Sequence, residues 1–289
     1  MTEIVSVNNL NKSYVGFDLK NVEFSIQPGR IMGFIGRNGA GKTTTMKSML
    51  NLVHPDSGEI RFFGMDIRQN EFEIKQRVTF ISGGVNYYAH SKLASICQVY
   101  RRFYPSWDEP LYQSYLSRFE LDPQKRIGEL SQGMGVKFAL ALGLSHHAEL
   151  LILDEPTSGL DPISRDELLT IFEQIVDQET ATVFFSTHIT SDLDKCADDI
   201  TYIQDGKILA SMAKGAWVDS WRIVEGRSDE LQFELRGKLI GFHERRGEFS
   251  GLLPKAELDM ASNFKVSEAD LEQIMVYSER STISEKSFN

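Results

Sequence analysis

The run Gly36-Arg37-Asn38-Gly39-Ala40-Gly41-Lys42-Thr43 combines glycines, a lysine and a hydroxyl at a spacing suited to holding phosphate. Glycines let the backbone curl so that successive N–H groups face one anion. A helix opening directly after them adds the positive end of its dipole. Lys42 is then placed to reach β- and γ-phosphates, and the Thr43 hydroxyl to hold Mg²⁺. A second set, Asp154-Glu155, follows the apolar run Leu150-Leu151-Ile152-Leu153. Carboxylates at the carboxyl end of a buried strand face the ligand in an open α/β sheet. Asp154 suits Mg²⁺, directly or through water, and Glu155 suits orienting or deprotonating an attacking water. Because Pro156 follows, the same pair also reads as the acidic start of a helix. His188 comes directly after Phe184-Phe185-Ser186-Thr187. It is either a donor to a terminal phosphate or an ordinary loop histidine.

Placing these groups together requires strands that end at one edge. Ile31-Met32-Gly33-Phe34-Ile35 is an apolar run before the glycine loop, the pattern of a strand buried on both faces. Thr43 to Leu52 reads as a helix, with Met46, Met49 and Leu50 on one side. Leu150 to Leu153 and Thr182 to Phe185 repeat the buried-strand pattern, and Ser164 to Val176 between them reads as an amphipathic helix. Strands alternating with helices predict an α/β fold with a largely parallel sheet. Residues 85–148 change character: Ser91 to Phe103, Leu111 to Phe119 and Gly133 to Leu144 read as a helical insert. Residues 207–289 look separate. There Leu231, Phe233 and Leu235 alternate like a strand, and Leu239 to Phe242 reads as another. Ser267 to Asp270 looks like a capping box, and the tail from Ser278 reads as frayed.

Composition supplies the exclusions. The 289 residues carry a formal charge of −10, a poor basis for coating nucleic acid, which needs clustered Lys and Arg. Cys97 and Cys196 stand in unrelated contexts, so neither a zinc site nor a redox pair is expected. No stretch approaches 18 consecutive apolar residues, and Met1 to Leu10 lacks the basic start of a signal peptide. A soluble, cytoplasmic protein is the expectation.

Together these runs resemble the ATP-binding subunits of ABC transporters. Leu130-Ser131-Gln132-Gly133-Met134 resembles the family's signature loop, usually LSGGQ. Leu153 to Pro162, reading LDEPTSGLDP, is nearly unaltered from the family's acidic strand end and the loop after it. His188 falls at the switch-histidine position, and Tyr14 lies where an aromatic ring stacks on adenine. The resemblance covers about residues 3–210. It implies a P-loop NTPase (RecA-like) core, an antiparallel β subdomain and an α-helical insert over about residues 85–148. Residues 1–210 form the ATP-binding domain in this reading, and residues 211–289 a small α+β accessory or regulatory domain. ATP would lie against Tyr14, Asn38, Gly39, Ala40, Gly41, Lys42, Thr43 and Thr44, with Thr43 and Asp154 holding Mg²⁺. Glu155, His188 and Lys42 would serve catalysis. Ser131 and Gly133 of one domain would meet the γ-phosphate bound by another, so a homodimer is the simplest assembly. The resemblance further implies a separately encoded membrane permease, with this chain peripheral at its cytoplasmic face. Within the family the chain looks like bacterial ATPase subunits that partner separately encoded exporter permeases. The segment Tyr104-Pro105-Ser106-Trp107-Asp108 and the altered signature are similar to a subgroup found near antimicrobial-resistance and envelope-stress systems.

Departures qualify that reading. Val78-Thr79-Phe80-Ile81-Ser82 resembles the strand that in the family ends in glutamine, but Gly83-Gly84 follows. A glycine has no side chain to contact Mg²⁺ or the attacking water. This keeps open a weakly hydrolysing regulatory module in which ATP binding is the signal. Soluble ABC-type ATPases of DNA repair need a long coiled coil between the two motifs, and residues 44–130 are too short for one. Translation-factor versions carry two ATPase domains, and one is seen here. Tyr87, Tyr88, Tyr100, Phe103, Tyr104 and Trp107 either receive the permease or pack the insert itself. If the missing glutamine limits turnover, Gly83→Gln raises the steady-state ATPase rate; an unchanged rate shows that water already serves that position.

Overall fold

The computed structural model describes residues 3–82, 89–179 and 181–287. The chain divides into two compact units, Met1–Ser211 and Met212–Asn289. The first contains β1 (Val5–Tyr14), β2 (Phe17–Ile26), β3 (Ile31–Ile35), α1 (Lys42–Met49), β4 (Ser57–Phe62) and β5 (Met65–Asp66). It continues through α2 (Glu71–Arg77), β6 (Val78–Ile81), α3 (Leu93–Tyr100), α4 (Glu109–Arg118) and α5 (Gln132–Leu144). Then come β7 (Leu150–Leu153), α6 (Pro162–Glu179), β8 (Thr182–Thr187), α7 (Thr190–Cys196), β9 (Asp199–Gln204) and β10 (Lys207–Ala213), whose last two residues fall in the second unit.

Two sheets build this unit. One is antiparallel, in the order β2-β1-β4-β5. The other runs β10-β9-β3-β8-β7-β6, and the pairs β9-β3, β3-β8, β8-β7 and β7-β6 are parallel. All residues of β3, β7 and β8 are buried, as expected for strands covered on both faces. The core is continuous between the two sheets. Phe24 of β2 meets Phe34 of β3 and Phe184 of β8, each with ring centroids 5.7 Å apart, and Phe34 and Phe184 stack at 5.5 Å. Parallel strands share one direction, so β3, β7 and β8 all deliver their following loops to the same edge.

The insert is helical, with α3, α4 and α5, and its aromatic residues are partly spent on packing. Tyr104 stacks on His146 at 3.8 Å between ring centres, and Tyr100 stacks on Tyr104. Trp107 meets Tyr100 edge-on. His146 Nε2 lies 3.0 Å from the Thr79 hydroxyl of β6, and the Ser106 hydroxyl donates to the His146 carbonyl. This ties the Tyr104 to Asp108 segment to the end of α5 and to the sheet. Phe103 is exposed instead. Gly83, Gly84, Tyr87 and Tyr88 lie outside the described residues.

The second unit contains α8 (Lys214–Asp219), β11 (Trp221–Arg227), α9 (Phe233–Arg236), β12 (Ile240–Arg245), β13 (Glu248–Pro254), β14 (Lys265–Glu268) and α10 (Leu271–Ser287). Its sheet is antiparallel, in the order β12-β13-β11-β14. Three expectations change here. Phe233 starts a short helix rather than continuing a strand, and Leu235 points into a core with Val224, Phe249 and Leu253. Ser267 belongs to β14, and the capping box sits one turn later. The Asp270 carboxylate accepts from Gln273 N at 2.7 Å, and the Gln273 side chain accepts from Asp270 N at 3.0 Å. Helix α10 then continues past Ser278 to Ser287.

His146 yields a pH prediction. Burial pushes its pKa down to about 4, so it is neutral in the folded chain at pH 7 and protonates more readily when unfolded. Its contribution is therefore complete above its ordinary value of about 6.5 and is lost as pH falls from there toward 4. The loss amounts to at most about 1.4 kcal/mol per pH unit. Urea unfolding of the native chain and His146→Leu at pH 7 and pH 5 checks this, the variant losing that part of the slope.

Candidate functional site

The loop after β3 wraps around a buried lysine. Lys42 Nζ donates to the Gly36 carbonyl at 2.7 Å and the Arg37 carbonyl at 3.2 Å. Two glycines permit this path. A Cβ on Gly36 would lie 2.3 Å from the Ile203 carbonyl oxygen. Gly41 has φ +112°, and a Cβ there would strike Leu19 and Phe17 of β2. Gly41 thus opens α1 while the antiparallel sheet presses against it. Asn38 and Gly39 are exposed at the loop's tip, Ala40 is buried and Thr44 is half-buried.

The acidic strand end meets this loop directly. The Thr43 hydroxyl donates to Asp154 Oδ2 at 2.7 Å. The other oxygen, Asp154 Oδ1, accepts from the Ser186 hydroxyl at 2.6 Å. Ser186 in turn accepts from Glu155 N at 2.9 Å, so one hydroxyl at the end of β8 orders both acidic residues. Glu155 lies in the left-handed region at φ +50°, a strained backbone that turns its carboxylate back toward the loop. Glu155 Oε1 is 3.1 Å from Lys42 Nζ, and Oε2 is 2.8 Å from His188 Nδ1. Lysine, two carboxylates, a hydroxyl and an imidazole therefore converge from loops after β3, β7 and β8.

This donor set fits a hard cation. Mg²⁺ takes oxygen ligands in an octahedron with bonds of about 2.1 Å, so neighbouring ligands sit about 3 Å apart. The Thr43 and Asp154 oxygens, at 2.7 Å, have that chemistry and nearly that spacing. Among the described residues no group of three or more His, Cys, Asp or Glu side chains forms a metal site. A protein contribution of one hydroxyl and one carboxylate leaves the remaining positions for water and phosphate, as Mg²⁺ favours.

Other candidate residues lie apart from this cluster. Ser131 caps α5, its hydroxyl accepting from Met134 N at 3.2 Å. Gln132 donates to the Ser158 carbonyl at 2.6 Å, and a Cβ on Gly133 would come within 3.6 Å of Leu160. The signature loop is thus seated on the segment after Glu155. Tyr14 is half-exposed at the end of β1, paired with Phe17, with Lys12 over its ring at 5.6 Å. Phe17 packs on Gly41 together with Leu19, so Tyr14 belongs to the hairpin beside the phosphate loop.

Sequence reasoning passed over Ser186, Thr157, Thr187 and Asp192. The signal available was a polar pair, Ser186-Thr187, directly after the apolar residues Val183-Phe184-Phe185.

Residues 19–158 match the family model described as ABC transporter. The bacitracin transport ATP-binding protein BcrA of Bacillus licheniformis is 34% identical over 217 residues, which are 72% of this chain and 69% of that protein. The chain belongs to the ABC transporter family. The ABC transporter ATP-binding protein YtrB of Bacillus subtilis is 26% identical over 262 residues, 90% of this chain and 89% of its own length. A solved ATP-binding subunit of an ABC transporter superposes with a TM-score of 0.64 at 25% identity, over 73% of this chain and 90% of that one. The first unit accordingly has the P-loop NTPase core of ABC ATPases, and the chain is an ATP-binding subunit with ATPase activity. Among the described residues no helix is long and apolar enough to cross a membrane.

Lys42→Ala removes the buried ammonium that the curled ABC loop wraps and leaves Glu155 with its His188 contact. Calorimetry is expected to show ATP affinity lowered by about 100-fold or more; tight binding by the variant would contradict the assignment of this loop.

Proposed function

We propose that this chain hydrolyses ATP to drive an exporter whose translocation path lies on a separate permease. In this reading two copies close face to face around two ATP molecules, with the chain peripheral at the cytoplasmic face of the membrane. The observation that carries it is the division of the motifs. Lys42, Thr43, Asp154, Glu155 and His188 share one cluster, while Ser131, half the signature, is exposed and seated elsewhere. A signature seated on the Ser158 to Leu160 segment, with Ser131 exposed, is available to a phosphate bound by another copy. Export rather than import rests on the resemblance of residues 104–108 and the altered signature to exporter subunits. Residues 1–210 would be the motor, and residues 211–289 an accessory or regulatory domain.

The residues support a direct sequence of events. Lys42 binds phosphate by exchanging the Gly36 and Arg37 carbonyls and the Glu155 carboxylate for phosphate oxygens. That exchange frees Glu155 Oε1, which then accepts the proton of the attacking water. The water oxygen bonds to the γ-phosphorus as its bond to the departing ADP oxygen breaks. His188, holding Oε2 at 2.8 Å, orients the carboxylate and presents its ring to the γ-phosphate. Thr43 and Asp154 would hold Mg²⁺, which supplies charge neutralisation for the phosphates. Tyr14 would stack on adenine, with Asn38, Gly39, Ala40, Gly41 and Thr44 completing the phosphate cradle. A weakly hydrolysing regulatory role remains the second reading, favoured by Gly83 where the family carries glutamine.

Glu155→Gln keeps the shape and removes the base. It is expected to bind ATP, to lose at least about 100-fold in turnover, and to run as a dimer with ATP on size exclusion. Full turnover in that variant would remove Glu155 from its role.

A further inference from the structure

Behind the cluster lies a carboxylate that the proposed chemistry does not use. Asp192, in the first turn of α7, is fully buried. Its Oδ2 accepts the Thr157 hydroxyl at 2.6 Å and the Thr187 hydroxyl at 3.2 Å. Arg165 Nε stands 3.8 Å from Oδ1. Thr157 comes two residues after Glu155, and Thr187 immediately precedes His188. One acceptor atom therefore joins the two loops that carry Glu155 and His188.

Burial of a carboxylate is costly unless donors meet it. Here two fully buried hydroxyls meet it, and both would lose their acceptor in an apolar replacement. Thr187 is committed twice, since its oxygen also accepts from Ile189 N at 3.0 Å, which fixes the backbone on both sides of His188. The strained turn at Glu155 is likewise held at both ends, by Ser186 before it and by Thr157 after it. A left-handed non-glycine residue persists only where its surroundings over-determine it.

We propose that Asp192 is a positioning residue for hydrolysis. It locks the Thr157 and Thr187 hydroxyls to one point, so that the Glu155 carboxylate and the His188 ring keep their 2.8 Å contact and move as a unit when nucleotide draws Lys42 away. This rests on the roles given to Glu155 and His188 above. Asp192 touches neither Lys42 nor Thr43, so its loss acts on turnover and spares the grip on phosphate.

The test is steady-state ATPase kinetics of the full chain with melting temperatures in parallel. Asp192→Ala is expected to lower kcat by about 10- to 100-fold with KM for ATP changed less than about two-fold. Asp192→Asn keeps an oxygen acceptor and is expected to recover part of the rate. Thr157→Val and Thr187→Val each remove one donor, and their combined effect is expected to be no larger than that of Asp192→Ala, because both act through the same oxygen. Wild-type kcat in Asp192→Ala, a KM rising in step with the lost kcat, or no recovery in Asp192→Asn would overturn the proposal. If Asp192→Ala does not fold, undiminished kcat in the double threonine variant overturns it. An inactive Glu155→Gln beside an active Asp192→Ala defeats this inference alone, whereas an active Glu155→Gln defeats it together with the reading of the site.

Discussion

The hydrogen bond from Thr43 to Asp154 joins residues 111 positions apart in the chain, and the site depends on it. It requires α1 to begin where β3 ends and β7 to finish at the same edge of the sheet. Parallel pairing meets both requirements, because β3, β8 and β7 are hydrogen-bonded neighbours running in one direction. The same hydrogen bond leaves Asp154 Oδ1 for Ser186, and Ser186 then takes Glu155 N. Four residues from α1, β8 and the loop after β7 are thus ordered by two hydroxyls and one carboxylate.

Electrostatics explains why this arrangement is poised rather than closed. Lys42 is buried and satisfied by two carbonyls of its own loop and by Glu155. A buried ammonium without these partners would be costly. A phosphate bearing more negative charge than any of them competes for the same ammonium. In that view the partners of Lys42 are placeholders, and the carboxylate they release stays held by His188. The strain at Glu155 is kept in place by hydrogen bonds from segments on either side of it.

The fold places different demands on its other parts. The antiparallel sheet leans Phe17 and Leu19 on Gly41, so only glycine fits at the opening of α1. The insert fastens Tyr104 and Ser106 to His146, and through Thr79 to β6. Tyr100, Tyr104 and Trp107 therefore have packing duties, while exposed Phe103 has none comparable. The second unit buries its own core around Val224, Phe249 and Leu253, which accounts for its compactness by itself.

Local pattern by itself determined much of this protein. The spacing of Gly36, Gly41, Lys42 and Thr43, the apolar runs ending at Asp154 and near His188, and the helical character of residues 91–144 are all readable along the chain. These signals are short-range, set by backbone freedom and by burial periodicity. Boundaries that depend on a competing partner were less legible: Phe233 sits in a helix because Leu235 must reach a core, and the cap of α10 moved to Asp270 because β14 claimed Ser267 for pairing with Ile223. Only the tertiary structure decided that Ser186 bridges the acidic pair and that Asp192 gathers Thr157 and Thr187. Ser, Thr and Asp occur on most surfaces, so nothing in their type marks them. They become distinctive when parallel strands bring loops from distant parts of the chain within hydrogen-bond reach and exclude water around them.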